Sequence, residues 1–166
     1  MKVLFLCTHN SCRSVLSEAL FNALVPDHLD MHAVSAGSQP SGRVNPDTLR
    51  VLERAGLDTT GYASKSAEAF ADDPPDIVIT VCDRAANEPC PLFFGPALKA
   101  HWGLADPSAI EASQAERDAA FDATMAKIRQ RLETFFALPL NLPLHLPLKE
   151  GDRERLAREL VRIGEL

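Results

Sequence analysis

The eight-residue stretch CTHNSCRS, residues 7–14, most constrains how this chain can fold. The short apolar run at residues 3–6 precedes it, and a run of that length bounded by polar residues is typical of a buried strand. After the stretch, leucines recur at every fourth position as far as Leu24, which is the spacing of one buried helix face. The sequence therefore predicts a strand, a polar loop and a helix in direct succession.

This loop has the residues of an oxyanion site. A strand-to-helix loop directs backbone N–H groups and the positive end of the helix dipole toward the space above it. Arg13 adds a fork of donors that matches such oxygens, and these positive groups favour the thiolate form of Cys7, a nucleophile. Ser14 can donate its hydroxyl to the Cys7 sulfur, and Asn10 tolerates a left-handed backbone. The alternative is a strand, turn and helix with a merely buried cysteine.

The rest of the chain alternates strand and helix patterns, which predicts a parallel α/β sheet. Further strands are predicted at residues 31–35, 76–81 and 98–102. Helices are predicted at residues 14–25, between Asn45–Pro46 and Gly56, as a short turn at 64–70, after the capping box Ser113–Glu116, and at 152–163.

Composition restricts the class of protein. A chain of 166 residues suits one domain, and a formal net charge of -6 argues against a nucleic-acid partner. No apolar run approaches the ~20 residues that span a bilayer. The apolar run at the N-terminus is also too short for the hydrophobic region of a signal peptide. We therefore expect a cytoplasmic protein with no membrane partner, whose four cysteines rest as thiols unless a disulfide is catalytic.

The motif Cys7-x5-Arg13-Ser14 after a first strand resembles the low-molecular-weight protein tyrosine phosphatase superfamily. Residues 9–11 together with Arg13 and Ser14 resemble its arsenate reductase branch, and the resemblance extends from residue 1 to about 137. It implies a three-layer fold, a four-stranded parallel sheet in the order 2-1-3-4 with helices on both faces. The implied oxyanion-binding residues are Thr8, His9, Asn10, Ser11, Cys12, Arg13 and Ser14.

A second cysteine pair follows the strongest predicted strand. Cys82 ends that strand, and Cys90 comes after seven small or polar residues that we expect to be easily remodelled. The pair can be interpreted as zinc ligands, as two inert buried cysteines or as a redox pair. Structural zinc ligands are usually spaced by two to four residues, which these two cysteines are not. We assign no metal and no cofactor.

The resemblance to reductases implies a sequence of thiol steps. The Cys7 thiolate attacks arsenate held by Arg13, Asp106 protonates the departing oxygen, and Cys82 then attacks the Cys7 sulfur. Arsenite leaves, Cys90 attacks Cys82, and thioredoxin reduces the resulting Cys82–Cys90 disulfide. Some relatives use glutathione and glutaredoxin instead, and phosphate or sulfate is expected to occupy the same site. Cys12 has no implied redox role.

Two other functions stay open at this point. A tyrosine phosphatase needs only Cys7, Arg13 and Asp106, although such enzymes usually follow the Asp-Pro pair with tyrosines and this chain has Ser108 there. A non-catalytic arsenic or metal sensor is the second of these functions.

Three residues, Asn10, Glu18 and Ser35, resemble positions that bind potassium in some reductases. We assign no ion to them, because the ammonium group of Lys65 can take its place.

The C-terminal part differs in kind from residues 1–137. Residues 138–148 repeat a Leu-Pro unit, which excludes a helix and favours an extended strip. We predict that residues 138–166 form a strap and a helix packed on the same domain, with a dimer or partner surface as the alternative.

Overall fold

The computed structural model describes residues 1–91, 93, 95–138 and 149–166. Its four strands are β1 (Lys2–Cys7), β2 (His32–Gly37), β3 (Ile77–Thr80) and β4 (Leu98–His101). They form one parallel sheet in the order β2-β1-β3-β4, which confirms the predicted fold. The helices are α1 (Arg13–Leu24), α2 (Pro46–Arg54), α3 (Gln114–Phe136) and α4 (Glu150–Gly164), with 3₁₀ turns at Ala67–Phe70, Arg84–Ala86 and Pro107–Ala109.

Both faces of the sheet are covered, which explains why its strands are continuous apolar runs. Val3 and Phe5 of β1 point into the larger core cluster, which also contains buried residues of all four α-helices. Leu4 and Leu6 point to the opposite face, where the 3₁₀ turn Ala67–Phe70 packs against them. The alternation of side chains along β1 therefore produces two cores.

Local signals in the sequence set the helix starts. The Asn45 side chain accepts a hydrogen bond from the Asp47 N–H at 2.8 Å, with Pro46 in the first helical position, as predicted. The Ser113 side chain likewise accepts from the Glu116 N–H at 3.2 Å. The predicted turn at 64–70 begins later, at Ala67, because Ser66 caps it.

The C-terminal helix α4 packs on the same core as the preceding elements. Its residues Leu156, Leu160 and Ile163 are buried, and the buried Trp102 indole donates to the Leu160 carbonyl at 2.8 Å. The predicted extended strip at 138–148 lies, after Leu138, outside the described residues and stays a prediction. Among the helices of the described part, none is long and apolar enough to cross a membrane.

Gly164 lets α4 approach the end of β4 closely. A Cβ atom on Gly164 would lie 2.3 Å from the His101 carbonyl oxygen, whereas a Cβ on Gly151 of the same helix would meet nothing within 4 Å. We expect Gly164→Ala to lower the free energy of unfolding by about 1–3 kcal/mol through overpacking. Gly151→Ala is the matched control and should cause no loss. Thermal unfolding followed by circular dichroism checks this, and equal midpoints for the two variants would contradict the close packing.

Candidate active site

The loop between β1 and α1 rests on the end of β2. Cys7 pairs in register with Gly37, and the N–H of Gln39 donates to the Thr8 carbonyl at 2.8 Å. A Cβ atom on Gly37 would lie 2.5 Å from that same carbonyl oxygen, so only glycine fits under the loop. This close contact between Gly37 and the Thr8 carbonyl positions the loop relative to the sheet before the chain turns into α1.

Asn10 braces the loop from inside. Its backbone is left-handed, with φ at 49°, and its N–H points at the Cys7 sulfur, 3.2 Å away. Its buried amide group donates to Ser14 Oγ and to Ser35 Oγ, each at 2.9 Å. Its side-chain oxygen accepts from the Lys65 N–H at 2.9 Å, which fixes the orientation of the amide. One side chain thus ties the loop to α1, to β2 and to a third segment.

The Ser14 hydroxyl donates to Cys7. The two atoms Cys7 Sγ and Ser14 Oγ are 2.9 Å apart, and either atom could supply the hydrogen on distance alone. Because the Asn10 amide nitrogen can only donate, Ser14 Oγ accepts from it, and the Ser14 hydrogen stays available to a Cys7 thiolate, which can only accept. The Cys7 sulfur is thus held by two neighbours, the Ser14 hydroxyl and the Asn10 N–H.

Arg13 is the buried cation of the site. Its guanidinium donates to the Leu104 carbonyl at 3.0 Å and to both carboxylate oxygens of Glu88, at 2.5 and 2.6 Å. A second acid, Asp106, lies 3.7 Å from it. The guanidinium hydrogen bond from Arg13 lowers the pKa of Glu88, so Glu88 is ionised at neutral pH.

Asp106 presents one oxygen to the site and has the other one held. Its Oδ1 accepts from the Ser108 N–H at 2.9 Å and from the Ser108 hydroxyl at 2.6 Å. Its Oδ2 is the oxygen nearest Arg13. Ser108 therefore orients a carboxyl group that can act as a general acid.

The cysteines fall into two classes. Cys82 and Cys90 form a disulfide with their Cα atoms 5.6 Å apart, while Cys7 and Cys12 are free. Burial raises the pKa of Cys12 to about 12, so Cys12 stays a thiol. His101 lies with Nδ1 3.9 Å from the Cys90 sulfur, and His101, Cys82 and Cys90 come close enough to be metal ligands. The disulfide bond itself explains why the two sulfurs are close, and we assign no metal ion to them.

The remaining loop residues contribute mainly through their backbone. The exposed His9 and the half-buried Ser11 hold neighbouring loops with their carbonyl groups, which accept from the Ser64 hydroxyl at 2.8 Å and the Asn45 N–H at 2.9 Å. The Thr8 hydroxyl donates to the Pro89 carbonyl at 3.4 Å. The segment between Cys82 and Cys90 therefore lies over the loop.

Sequence reasoning missed Glu88, Ser108 and the Leu104 carbonyl as parts of the site. Glu88 and Leu104 are far from the loop in sequence, and only the folded chain brings them to Arg13. The Ser108 hydrogen bonds to Asp106 are local. The Asp-Pro-Ser stretch could have predicted them, because an aspartate side chain commonly accepts a hydrogen bond from the residue two positions later.

Glu18 lies behind the loop, and one of its carboxylate oxygens accepts a hydrogen bond. The Ser35 hydroxyl donates to its carboxylate, and Ser35 in turn accepts from Asn10. Burial raises the pKa of Glu18, and the nearby charge of Lys65 partly offsets this. The side chains of Asn10 and Ser35 and one oxygen of Glu18 are already hydrogen-bonded within the protein, and we assign no potassium ion to these residues.

Comparison with known proteins identifies the family. The model of the low molecular weight phosphotyrosine protein phosphatase family matches residues 2–143. The chain belongs to this family. The arsenate reductase of Halalkalibacterium halodurans is 32% identical over 133 residues, which are 80% of this chain and 93% of that protein.

Solved structures of relatives share the fold. The crystal structure of arsenate reductase from Archaeoglobus fulgidus is 26% identical and matches with a TM-score of 0.66, over 82% of this chain and 99% of that one. A structure described as an arsenate reductase in oxidized state is 28% identical and matches with a TM-score of 0.62, over 82% and 96%. The resemblance carried by residues 7–14 to the arsenate reductase branch is therefore confirmed.

The hydrogen bond from Ser14 predicts the reactivity of Cys7. Ser14→Ala should slow alkylation of Cys7 at neutral pH by a factor of about ten to a hundred, because a hydrogen bond to a charged group contributes roughly 1.5–3 kcal/mol. Iodoacetamide labelling with peptide mass mapping measures the rate at residue 7. Ser17→Ala is the matched control, since Ser17 lies in the same helix but donates to the Arg13 carbonyl. Equal rates for both variants would contradict the assigned proton direction.

The raised pKa of Glu18 predicts a pH-dependent stability. An acid whose pKa is higher in the folded state favours folding below its unfolded pKa, near 4.5, and loses that contribution as pH rises through the folded pKa. Glu18→Gln does not ionise, so its advantage in thermal midpoint over the original protein should grow from pH 4 to pH 7. Melting curves across that range test this. A difference that stays constant or shrinks toward neutral pH would show that Glu18 is not destabilised by ionisation.

Proposed function

We propose that this protein reduces arsenate to arsenite in arsenic detoxification, using Cys7 as the nucleophile and Cys82 and Cys90 as an electron relay. The observation that carries the proposal is the Cys82–Cys90 disulfide in a segment that contacts the Cys7 loop through Thr8 and Pro89. A phosphatase has no use for such a pair. The similarity to proteins named arsenate reductases over most of their length supports the same function.

The first step in this proposal is a displacement at arsenic. The N–H groups of residues 8–14 and the guanidinium of Arg13 hold the arsenate oxygens, and the Cys7 thiolate forms a bond to arsenic. One As–O bond breaks, and the Oδ2 oxygen of Asp106 supplies the proton that allows the oxygen to leave as water. The Ser14 hydroxyl is hydrogen-bonded to the sulfur that begins the reaction.

The relay then moves two electrons. The Cys82 thiolate attacks the Cys7 sulfur, the S–As bond breaks, and its electron pair stays on arsenic, which leaves as arsenite. The Cys90 thiolate attacks Cys82, which releases the Cys7 thiolate and forms the Cys82–Cys90 disulfide. A donor dithiol reduces this disulfide and is itself oxidised to a disulfide. The net reaction converts arsenate and a dithiol into arsenite, water and a disulfide.

We propose thioredoxin as that donor and the cytoplasm as the location. The half-buried Cys90 is the more accessible sulfur of the pair, because Cys82 is fully buried, and thiol exchange requires access. Glutaredoxin with glutathione is the alternative donor. In this proposal residues 1–137 form the catalytic unit, and residues 138–166 are a strap and helix packed on it.

A slow phosphatase activity is the second candidate function. Cys7, Arg13 and Asp106 are the groups that it needs, and water would take the place of Cys82 in the second step. Phosphate and sulfate should accordingly compete with arsenate for the loop.

The test is arsenate-dependent oxidation of NADPH by the purified protein, with thioredoxin plus its reductase in one arm and glutathione plus glutaredoxin in the other. We expect turnover in the thioredoxin arm. Cys7→Ser should abolish all activity, and Cys90→Ser should abolish arsenate turnover while slow hydrolysis of an aryl phosphate survives. The surviving hydrolysis shows that the variant is folded and that its loop is intact.

Four other outcomes change the conclusion. Turnover only with glutaredoxin keeps the reductase and changes the donor. Full turnover by Cys90→Ser with thioredoxin rules out the relay. No arsenate turnover together with rapid aryl phosphate hydrolysis makes the protein a phosphatase, and no activity of either kind favours a sensor.

A further inference from the structure

Glu88 occupies the place where Arg13 would bind an oxyanion. Its two carboxylate oxygens accept from the two terminal nitrogens of Arg13 at 2.5 and 2.6 Å, a bidentate pair of the kind that arginine forms with phosphate-like anions. Arg13 is almost fully buried, with 7% of its side chain exposed, and Glu88 covers it from the solvent side with 22% exposed. Since Arg13 also donates to the Leu104 carbonyl and lies 3.7 Å from Asp106, we expect an oxyanion that binds both terminal nitrogens to replace Glu88.

The backbone of the segment holds Glu88 in this position. The Glu88 N–H donates to the Asp83 carbonyl at 3.0 Å, and the Asp83 N–H donates to the Glu88 carboxylate at 2.7 Å. Between them, the 3₁₀ turn Arg84–Ala86 is capped by the Asp83 side chain, and Asn87 takes the left-handed backbone that returns the chain toward the loop. Glu88 is thus part of a compact turn and is not a freely moving side chain.

The disulfide closes that turn at both ends. Cys82 and Cys90 flank the segment directly, and Glu88 lies two residues before Cys90. Pro89 lies between Glu88 and Cys90, and its carbonyl group accepts a hydrogen bond from the Thr8 hydroxyl of the loop. Joining the ends removes most of the conformations in which Glu88 would lie away from Arg13, and so raises its effective concentration at the guanidinium. The disulfide therefore constrains the segment that carries Glu88.

We propose that Glu88 is a built-in oxyanion surrogate, which closes the Arg13 site while the Cys82–Cys90 disulfide is present and leaves the site when that disulfide is reduced. The proposal rests on the function proposed above and adds a regulation of the same site. In the reducing step a dithiol delivers two electrons and two protons, the S–S bond becomes two thiols, and the dithiol becomes a disulfide. The freed ends then allow the turn to open.

The device has a clear use for the reaction. After arsenite has left, the oxidised protein has no electrons to deliver, and an oxyanion bound at that stage would be held without being converted. Glu88 excludes the oxyanion until the Cys82–Cys90 disulfide has been reduced. By linkage, anion binding and oxidation oppose each other, so an oxyanion bound at Arg13 should also make the disulfide easier to reduce.

The test compares the affinity of inorganic phosphate for oxidised and reduced protein by isothermal titration calorimetry. Phosphate is the probe because it has the shape and charge of arsenate but accepts no electrons from the cysteines. Intact mass after alkylation verifies the redox state of each sample. We expect the oxidised protein to bind phosphate about tenfold more weakly than the protein reduced with dithiothreitol, within the usual range of coupling between two sites.

Glu88→Gln supplies the second comparison, because the neutral amide forms no charged pair with Arg13. The oxidised variant should bind phosphate about tenfold more tightly than the oxidised original protein, and its affinity should change little on reduction. Glu111→Gln, an exposed residue outside the site, is the matched control and should behave as the original protein does. Equal phosphate affinities for oxidised original protein and oxidised Glu88→Gln would overturn the proposal, as would equal affinities of the original protein in its two redox states.

A parallel assay separates this inference from the proposed function. Arsenite formed in a single turnover by the reduced protein reports the reductase activity alone. If phosphate binding depends on the redox state but no arsenite forms, the proposed role of Glu88 is retained and the proposed reductase activity is rejected. Arsenite formation with phosphate binding that ignores both redox state and Glu88 would keep the reductase and remove the surrogate.

Discussion

The site depends on the hydrogen bonds of one buried amide, that of Asn10. They connect the loop to Ser14 of the first helix, to Ser35 of the second strand and to the backbone of Lys65. These partners come from separate parts of the chain, so the loop reaches its final geometry only when the first helix and the edge strand have packed. Formation of the nucleophile site is thereby part of folding, and the left-handed backbone of Asn10 is held by the surrounding structure.

A buried guanidinium sets the electrostatics of the same region. Removing a charge from water is costly unless a counter-charge accompanies it, so a neighbouring anion stabilises the buried Arg13. In the structure Glu88 supplies that charge with Asp106 nearby, and in catalysis the substrate would supply it. Glu88 and a bound oxyanion would therefore each offset the cost of burying Arg13, and Asp106 lies near the guanidinium as a further acid. This also keeps the guanidinium oriented between turnovers.

The part of this protein that sequence reasoning recovered is the part whose signals are local. Apolar runs and caps such as Asn45 and Ser113 specify strands and helices within a few residues, and residues 7–14 lie together in the chain. The contact of Arg13 with Glu88 spans 75 positions and left no local trace. The fit of Gly37 under the Thr8 carbonyl was equally hidden, because a glycine after a strand looks like an ordinary turn.

The burial of Cys12 has a consequence for the path of the electrons. Cys7 and Cys12 lie in one short loop. A disulfide between them would occupy Cys7 without using Cys82 and Cys90 and would stop the reaction cycle. Burial raises the pKa of Cys12 to about 12, so Cys12 is a thiol at neutral pH and a poor nucleophile. The fold thus keeps Cys12 out of the thiol relay, so the oxidation of Cys7 passes to Cys82 and Cys90.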